Sequence, residues 1–193
     1  MPSALQSRFV PLQDYFSLDS DGAAERWEWR NGDVYCMTGA QPEHNLICVN
    51  IGAELRARLR GSGCLTFPSD QRVKVRAGSP YLYPDVSVAC RPGFATINGL
   101  RTLLNPVLIV EVLSPSTAQD DIGCKFMQYQ TIESLAGYLL VDSTAVAVKH
   151  YRKDGEVWVP RLFERPQETI DLPELGIALP LAEVYLDTGL LTG

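Results

Sequence analysis

VLIVEVL, Val107 to Leu113, is aliphatic at every position except Glu111. A continuous run of this length predicts a strand covered on both faces. GYLLVD, Gly137 to Asp142, predicts another, and PDVSVAC, Pro84 to Cys90, a third. Other stretches alternate. In RWEWRNGDVYCM, two short runs flank Asn31-Gly32, a strong hairpin signal, and VAVKHYRKDGEVWVPRLF predicts a hairpin around Asp154-Gly155. Gln71 to Arg76 alternates Arg72, Lys74 and Arg76 with Val73 and Val75, as a half-exposed strand does. Helical spacing is clearest in PEHNLICVNIGAELRARLRG, where Leu46, Ile47, Val49, Ile51, Leu55 and Leu59 form a stripe. Pro42 suits its first turn and Gly61 its end. A second helix is expected from Thr117 to Leu135, capped by Ser116 or Thr117 with Asp120 and Asp121 in its first turns. A short helix is expected around Pro11 to Phe16, and the tail predicts short strands and a final helical turn.

The resulting order, β, β, α, β, β, β, α, β, β, β, predicts a mixed α/β or α+β domain with a central sheet flanked by helices and extra hairpins. With 193 residues and 46% hydrophobic content, the chain can bury one core. Residues 1–24 are expected as an N-terminal extension, 25–187 as one domain and 188–193 as a tail. No apolar run approaches the roughly 18 residues of a membrane span. The opening MPSALQSRFVPLQDYF has no basic segment followed by an apolar core, so no secretory signal is expected. Five cysteines, an odd number with no CxxC pair, are expected as reduced and mostly buried thiols in a cytoplasmic protein. A net charge of −6 argues against a general nucleic-acid coat but leaves room for a metal site, because metal ligands are themselves acidic.

An ionised carboxylate inside an apolar strand costs several kcal/mol unless a cation, a metal or good hydrogen bonds meet it. Asp85 shares its strand face with Ser87 and Ala89, and Glu111 shares its own with Ile109 and Leu113. If the two strands pair, both acids project at one end of the sheet. Two carboxylates there suit Mg²⁺ or Mn²⁺, which accept oxygen ligands and retain water, and a nearby lysine can orient that water.

These residues resemble a family. PD followed by an acid on the neighbouring strand resembles the PD-(D/E)XK nuclease superfamily. The runs Tyr83-Pro84-Asp85, Leu108 to Thr117, Asp121, Lys125-Phe126, Tyr129, Ser134-Leu135 and Tyr138 to Asp142 are similar to the Uma-two family of restriction-endonuclease-like proteins. The upstream MTGAQPEHNLI and the Trp27 to Val34 hairpin fit its N-terminal pattern. The resemblance covers about residues 25 to 187. It implies a restriction-endonuclease-like fold and metal-dependent hydrolysis of nucleic acid, DNA being the favoured form. It also implies Asp85 and Glu111 as metal ligands and catalytic residues. Position 113, where the superfamily carries its lysine, is Leu, and the resemblance implies that Lys125 from the following helix takes that role. Cys124 stands where the family has a carboxylate.

Asp121 is a candidate to cap that helix or orient Lys125; His44, and less strongly Glu43, are candidates to line the site. Arg72, Lys74 and Arg76, with Arg56 and Arg60, could meet phosphates, although a solvated strand face explains the first three as well. His150 is expected in a surface hairpin, without a role. A homodimer is expected by analogy with nucleases that make two cuts. Two rival readings stand beside the enzyme. One is an inactive nuclease fold acting as a nucleic-acid- or protein-binding module. The other is a thiol hydrolase pairing a cysteine with His44 or His150, for which no local signature selects a pair.

Overall fold

The computed structural model describes residues 9–37, 39–76, 80–114 and 121–191, the side chains of Asp121 and Ile122 excepted. In chain order the elements are α1 (Leu12–Leu18), β1 (Trp27–Arg30), β2 (Asp33–Cys36), α2 (Pro42–Arg58), β3 (Cys64–Pro68), β4 (Val73–Lys74), β5 (Tyr81–Leu82), β6 (Val86–Cys90), β7 (Phe94–Ile97) and β8 (Leu100–Leu103). There follow β9 (Leu108–Leu113), a π-helical turn (Asp121–Lys125), α3 (Phe126–Tyr129), β10 (Gly137–Asp142), β11 (Val148–Asp154), β12 (Val157–Phe163), β13 (Thr169–Leu172), β14 (Ile177–Pro180) and α4 (Leu181–Val184). The predicted α+β class is what forms, with more strands than the pattern suggested. The expected caps Ser116 and Thr117, with Asp120, lie outside the described residues.

The central sheet runs β12-β11-β10-β9-β6-β3. Only β9 and β10 are parallel neighbours within it, and the helical segment of residues 121–129 lies between them in sequence. Both faces of the sheet are covered, which explains the unbroken apolar runs. On one face Val86, Val88, Leu108, Val110 and Val112 pack with Ile47, Ile51, Leu55 and Leu59, from α2 and its C-terminal cap. On the other, Ala89, Ile109, Tyr138 and Leu140 pack with Phe126, Tyr129, Ile132 and Leu135. Alternation along β9 therefore turns Glu111 to the second face, toward α3. The α2 stripe is narrower than predicted: Leu46 and Val49 are exposed.

A second sheet, β2-β1-β5-β4-β8-β7, is built from short strands. Its β7–β8 hairpin falls between Arg91 and about Asn105, a stretch expected from the sequence as a loop. Asn98 and Gly99 both have positive φ, 52° and 80°, as a tight hairpin turn requires, so the signal was in the Asn-Gly pair. Residues 10–20, set apart in the sequence as an extension, are packed into this sheet. Tyr15 and Asp19 are fully buried, and Asp19 accepts hydrogen bonds from Tyr15 (2.7 Å), Tyr83 (3.0 Å) and Arg72 (2.8 Å).

Arg72 therefore is not on a solvated strand face. It is 1% exposed, ion-paired with Asp19 and hydrogen-bonded to Thr102 and the Ile97 carbonyl. This corrects its assignment as a nucleic-acid contact, because a guanidinium enclosed in this way cannot reach a phosphate. Lys74 is half-buried and Arg76 exposed, as are Arg56 and Arg60. His150 is also corrected: β11 lies between β10 and β12, and the ring is buried with Nε2 3.6 Å from Glu174. Cys64 and Cys90 face each other across β3 and β6 and form a disulfide, so the expectation of five free thiols fails. Cys36, Cys48 and Cys124 are free. Among the described residues, no helix is long and apolar enough to cross a membrane.

Removing one member of a buried ion pair leaves the other uncompensated. Arg72→Ala should lower the unfolding free energy by about 3–5 kcal/mol in urea titration. A solvated strand arginine would change it by less than about 0.5 kcal/mol.

Candidate active site

The site forms where β6 begins, β9 ends and the first turns of α2 arrive. In the antiparallel β6–β9 ladder the last registered pair is Val86 opposite Val110, so one step further Asp85 lies opposite Glu111. Pro84 precedes Asp85 and ends the ladder there, which frees its side chain at the sheet end. Tyr83 fixes the approach. Its hydroxyl is held by Asp19 and its backbone N–H donates to Glu28 Oε1 at 2.9 Å.

Glu111 is 3% exposed. Its Oε1 accepts from Tyr129 Oη at 2.9 Å and from Lys125 Nζ at 3.3 Å. The π-helical turn delivers Lys125, and its ammonium also lies 3.3 Å from Glu28 Oε1. Glu28 is in turn ion-paired with Arg30. Lys125 thus bridges two buried carboxylates, one from each sheet. Burial pushes the carboxyl of Glu28 up, but Lys125 and Arg30 outweigh it and hold it below 4.5. Burial, then the charges of Glu111 and Glu28, raise the Tyr129 phenol well above its ordinary value, so it stays a donor.

Asp85 Oδ2 accepts from the Val112 backbone N–H at 2.7 Å and lies 3.4 Å from His44 Nε2. Burial works against a charged imidazole, but the hydrogen bond to Asp85 and its charge prevail and raise the His44 pKa above 6.5. Cys48, one helical turn after His44, has its Sγ 3.6 Å from His44 Nδ1. Burial, then Asp85 and Glu111, push its thiol up, so both carboxylates act on this one spot.

Of the residues chosen from sequence, Lys125 meets Glu111 and His44 meets Asp85, and the charges of both acids reach Cys48. The Asp121 side chain lies outside the described residues. Glu43 is half-buried in the first turn of α2. Arg76 lines a separate cleft of about 300 Å³ with Asn31, Pro80, Cys124, Met127, Gln128 and Thr131, next to the helical turn that carries Lys125. Sequence reasoning gave no role to Glu28, Tyr129 or Cys48. Glu28 alternates with two tryptophans, a placement that hid a buried acid inside an apparent surface hairpin. Cys48 at i+4 from His44 was the available signal for the third.

The donor set fits a hard divalent ion: two carboxylates from opposed strands, at a sheet end where Asp85 is only partly covered. Glu28, Glu111 and Asp85 bring three negative charges against the fixed cations Arg30 and Lys125, and His44 titrates between them.

A mixed-sheet α+β domain with acids and a lysine converging at one sheet end is the arrangement of a nuclease-like fold. Such a fold recurs in a crystal structure described as a putative nuclease belonging to DUF820 from Anabaena variabilis, with a TM-score of 0.74 and 17% identity over 91% of this chain and 97% of that one. The chain belongs to the Uma2 family, described as "Putative restriction endonuclease", whose model matches residues 12–182. It is similar to the uncharacterized proteins slr1290 and sll1609 of Synechocystis sp. The first is 32% identical over 95% of both chains; the second is 36% identical over 78% of this chain and 84% of its own.

Because the folded pKa of Glu28 lies below its ordinary 4.5, its contribution to stability is present above that pH and is lost as pH falls through the folded value. Glu28→Gln should destabilise the protein by about 3–5 kcal/mol at pH 7, by leaving Arg30 and Lys125 without their shared anion. The gap between wild type and variant should shrink below pH 4.5, as urea unfolding across pH can show.

Proposed function

We propose that the protein is a metal-dependent endonuclease that hydrolyses phosphodiester bonds of nucleic acid, DNA in particular. The reading is supported by Asp85 and Glu111 on the neighbouring strands β6 and β9, with Lys125 held on Glu111, in a chain of the Uma2 family. Asp85 and Glu111 would hold Mg²⁺ or Mn²⁺. Bound there, the ion would supply a coordinated water of lowered pKa and offset charge on the phosphodiester.

The remaining roles belong to the chain. Lys125, held against Glu111, hydrogen-bonds the attacking water or the charge that develops on the phosphate. Tyr129 donates to Glu111 and keeps the carboxylate in one orientation. His44 does the same for Asp85. Lys74 and Arg76 would contact backbone phosphates, with Arg76 in the cleft beside that turn. Cutting both strands of a duplex calls for two sites, which in this reading come from a cytoplasmic homodimer.

The test is cleavage of plasmid and oligonucleotide DNA with Mg²⁺ or Mn²⁺. Wild type should cut only with the ion present. Asp85→Ala and Glu111→Ala should each lose activity by more than about 100-fold, and Lys125→Met should lower kcat by about 10²–10³-fold. Cleavage that survives both acid substitutions would overturn the assignment. Binding of DNA with no cut under any metal would favour the binding-module alternative.

A further inference from the structure

The acid pair accounts for Asp85 but not for the company it keeps on α2. His44 and Cys48 are spaced i, i+4, so they stand one above the other on a single helix face. The helix is fixed to the core by Ile47, Ile51 and Leu55, all fully buried, and it cannot roll without exposing them. Cys48 Sγ lies 3.6 Å from His44 Nδ1, His44 Nε2 lies 3.4 Å from Asp85 Oδ2, and one donor atom from each of the three residues falls within 4.8 Å of the others. Among the described residues this is the one group of three or more such donors.

A four-coordinate zinc ion, bonded at about 2.0–2.3 Å, holds neighbouring donor atoms roughly 3.3–3.8 Å apart. The two short contacts use different imidazole nitrogens; with one donor atom per residue the trio lies within 4.8 Å, so the side chains draw together by about 1 Å on binding. Its chemistry also differs from that of the acid pair. Thiolate and imidazole suit zinc and its neighbours in the first transition row, whereas Mg²⁺ takes oxygen ligands. Three protein donors leave one position for water, as in sites that exchange ligands.

We infer that His44, Cys48 and Asp85 form a binding site for a zinc-class divalent cation, which shares Asp85 with the acid pair and takes its other two donors from α2. Binding breaks the Cys48 S–H bond, forms the sulfur–metal bond and passes the proton to solvent. The His44 Nε2–H bond toward Asp85 also breaks, its hydrogen passing to solvent from the protonated ring or to Nδ1 from the neutral one, and Nε2 and the Asp85 carboxylate each bond the metal. Asp85 can then no longer serve Glu111 in the same way, so zinc would act as an antagonist of the hard cation. That consequence rests on the function proposed above; the zinc site itself does not.

The experiment uses the full chain and titrates Co²⁺ by absorption and Zn²⁺ by calorimetry. Wild type should show a thiolate-to-cobalt charge-transfer band in the near ultraviolet and one zinc per chain. Cys48→Ser should abolish the band and weaken zinc by more than about 100-fold, beyond the 10–100-fold that supporting residues carry. Cys124→Ser and Cys36→Ser should retain both. His44→Gln, checked by near-ultraviolet circular dichroism, gives an independent variant should Cys48→Ser fold poorly; it should weaken zinc to a similar degree. Glu111→Gln separates the two claims: it should keep the cobalt band even though it removes a ligand of the proposed nuclease site. A wild type without the thiolate band, or a Cys48→Ser chain with wild-type zinc affinity, would overturn the inference.

Discussion

The ammonium of Lys125 between the carboxylates of Glu28 and Glu111 is the contact on which the rest of the site depends. Each acid alone would be a costly charge in a dry interior, and the lysine makes both tolerable. The contact also ties three parts of the chain together. Glu28 comes from the first hairpin, Glu111 from the middle of the central sheet and Lys125 from the π-helical turn between β9 and β10. Glu28 then holds the backbone of Tyr83, two residues before Asp85. The ion triad that stabilises Glu111 therefore also sets the position of the second acid, so stability and chemistry are coupled in one network.

That coupling resolves the gap at position 113. A lysine there would lie on the Glu111 face of β9, where Leu113 instead packs with the aliphatic and aromatic side chains under α3. Supplying the cation from a separate turn lets the strand remain apolar at that point. It also lets the ammonium reach across to Glu28 in the other sheet. Tyr129, one helical turn after Lys125, completes the hydrogen bonding of the same carboxylate.

Much of this was legible in the chain. The unbroken apolar runs marked the doubly covered strands, and an acid within one of them marked Glu111 as a residue needing a partner. The spacing of PD and the acid, read through a family resemblance, pointed to Asp85 and Lys125. Other features depend on contacts that no local pattern encodes. Arg72 alternates like a surface residue, yet Asp19, fifty-three positions earlier, encloses it. His150 sits in a hairpin pattern, but β10 adds the hairpin to the central sheet and the ring is buried beside Glu174. Cys64 and Cys90 carry no motif and are joined only because β3 and β6 pair in register. Short strands such as β4 and β5 have two residues each and leave almost no periodic trace.

In the proposed reading the sheet end carries two overlapping donor sets that share Asp85: oxygens with Glu111, and nitrogen and sulfur with His44 and Cys48. Which of them a hard cation selects decides the account. A crystal soaked in Mn²⁺, read by anomalous scattering, measures this directly. The account predicts a manganese ion bonded to carboxylate oxygens of both Asp85 and Glu111 at about 2.0–2.3 Å, with water completing its shell. Manganese found elsewhere, with these two carboxylates bare of metal, would contradict it.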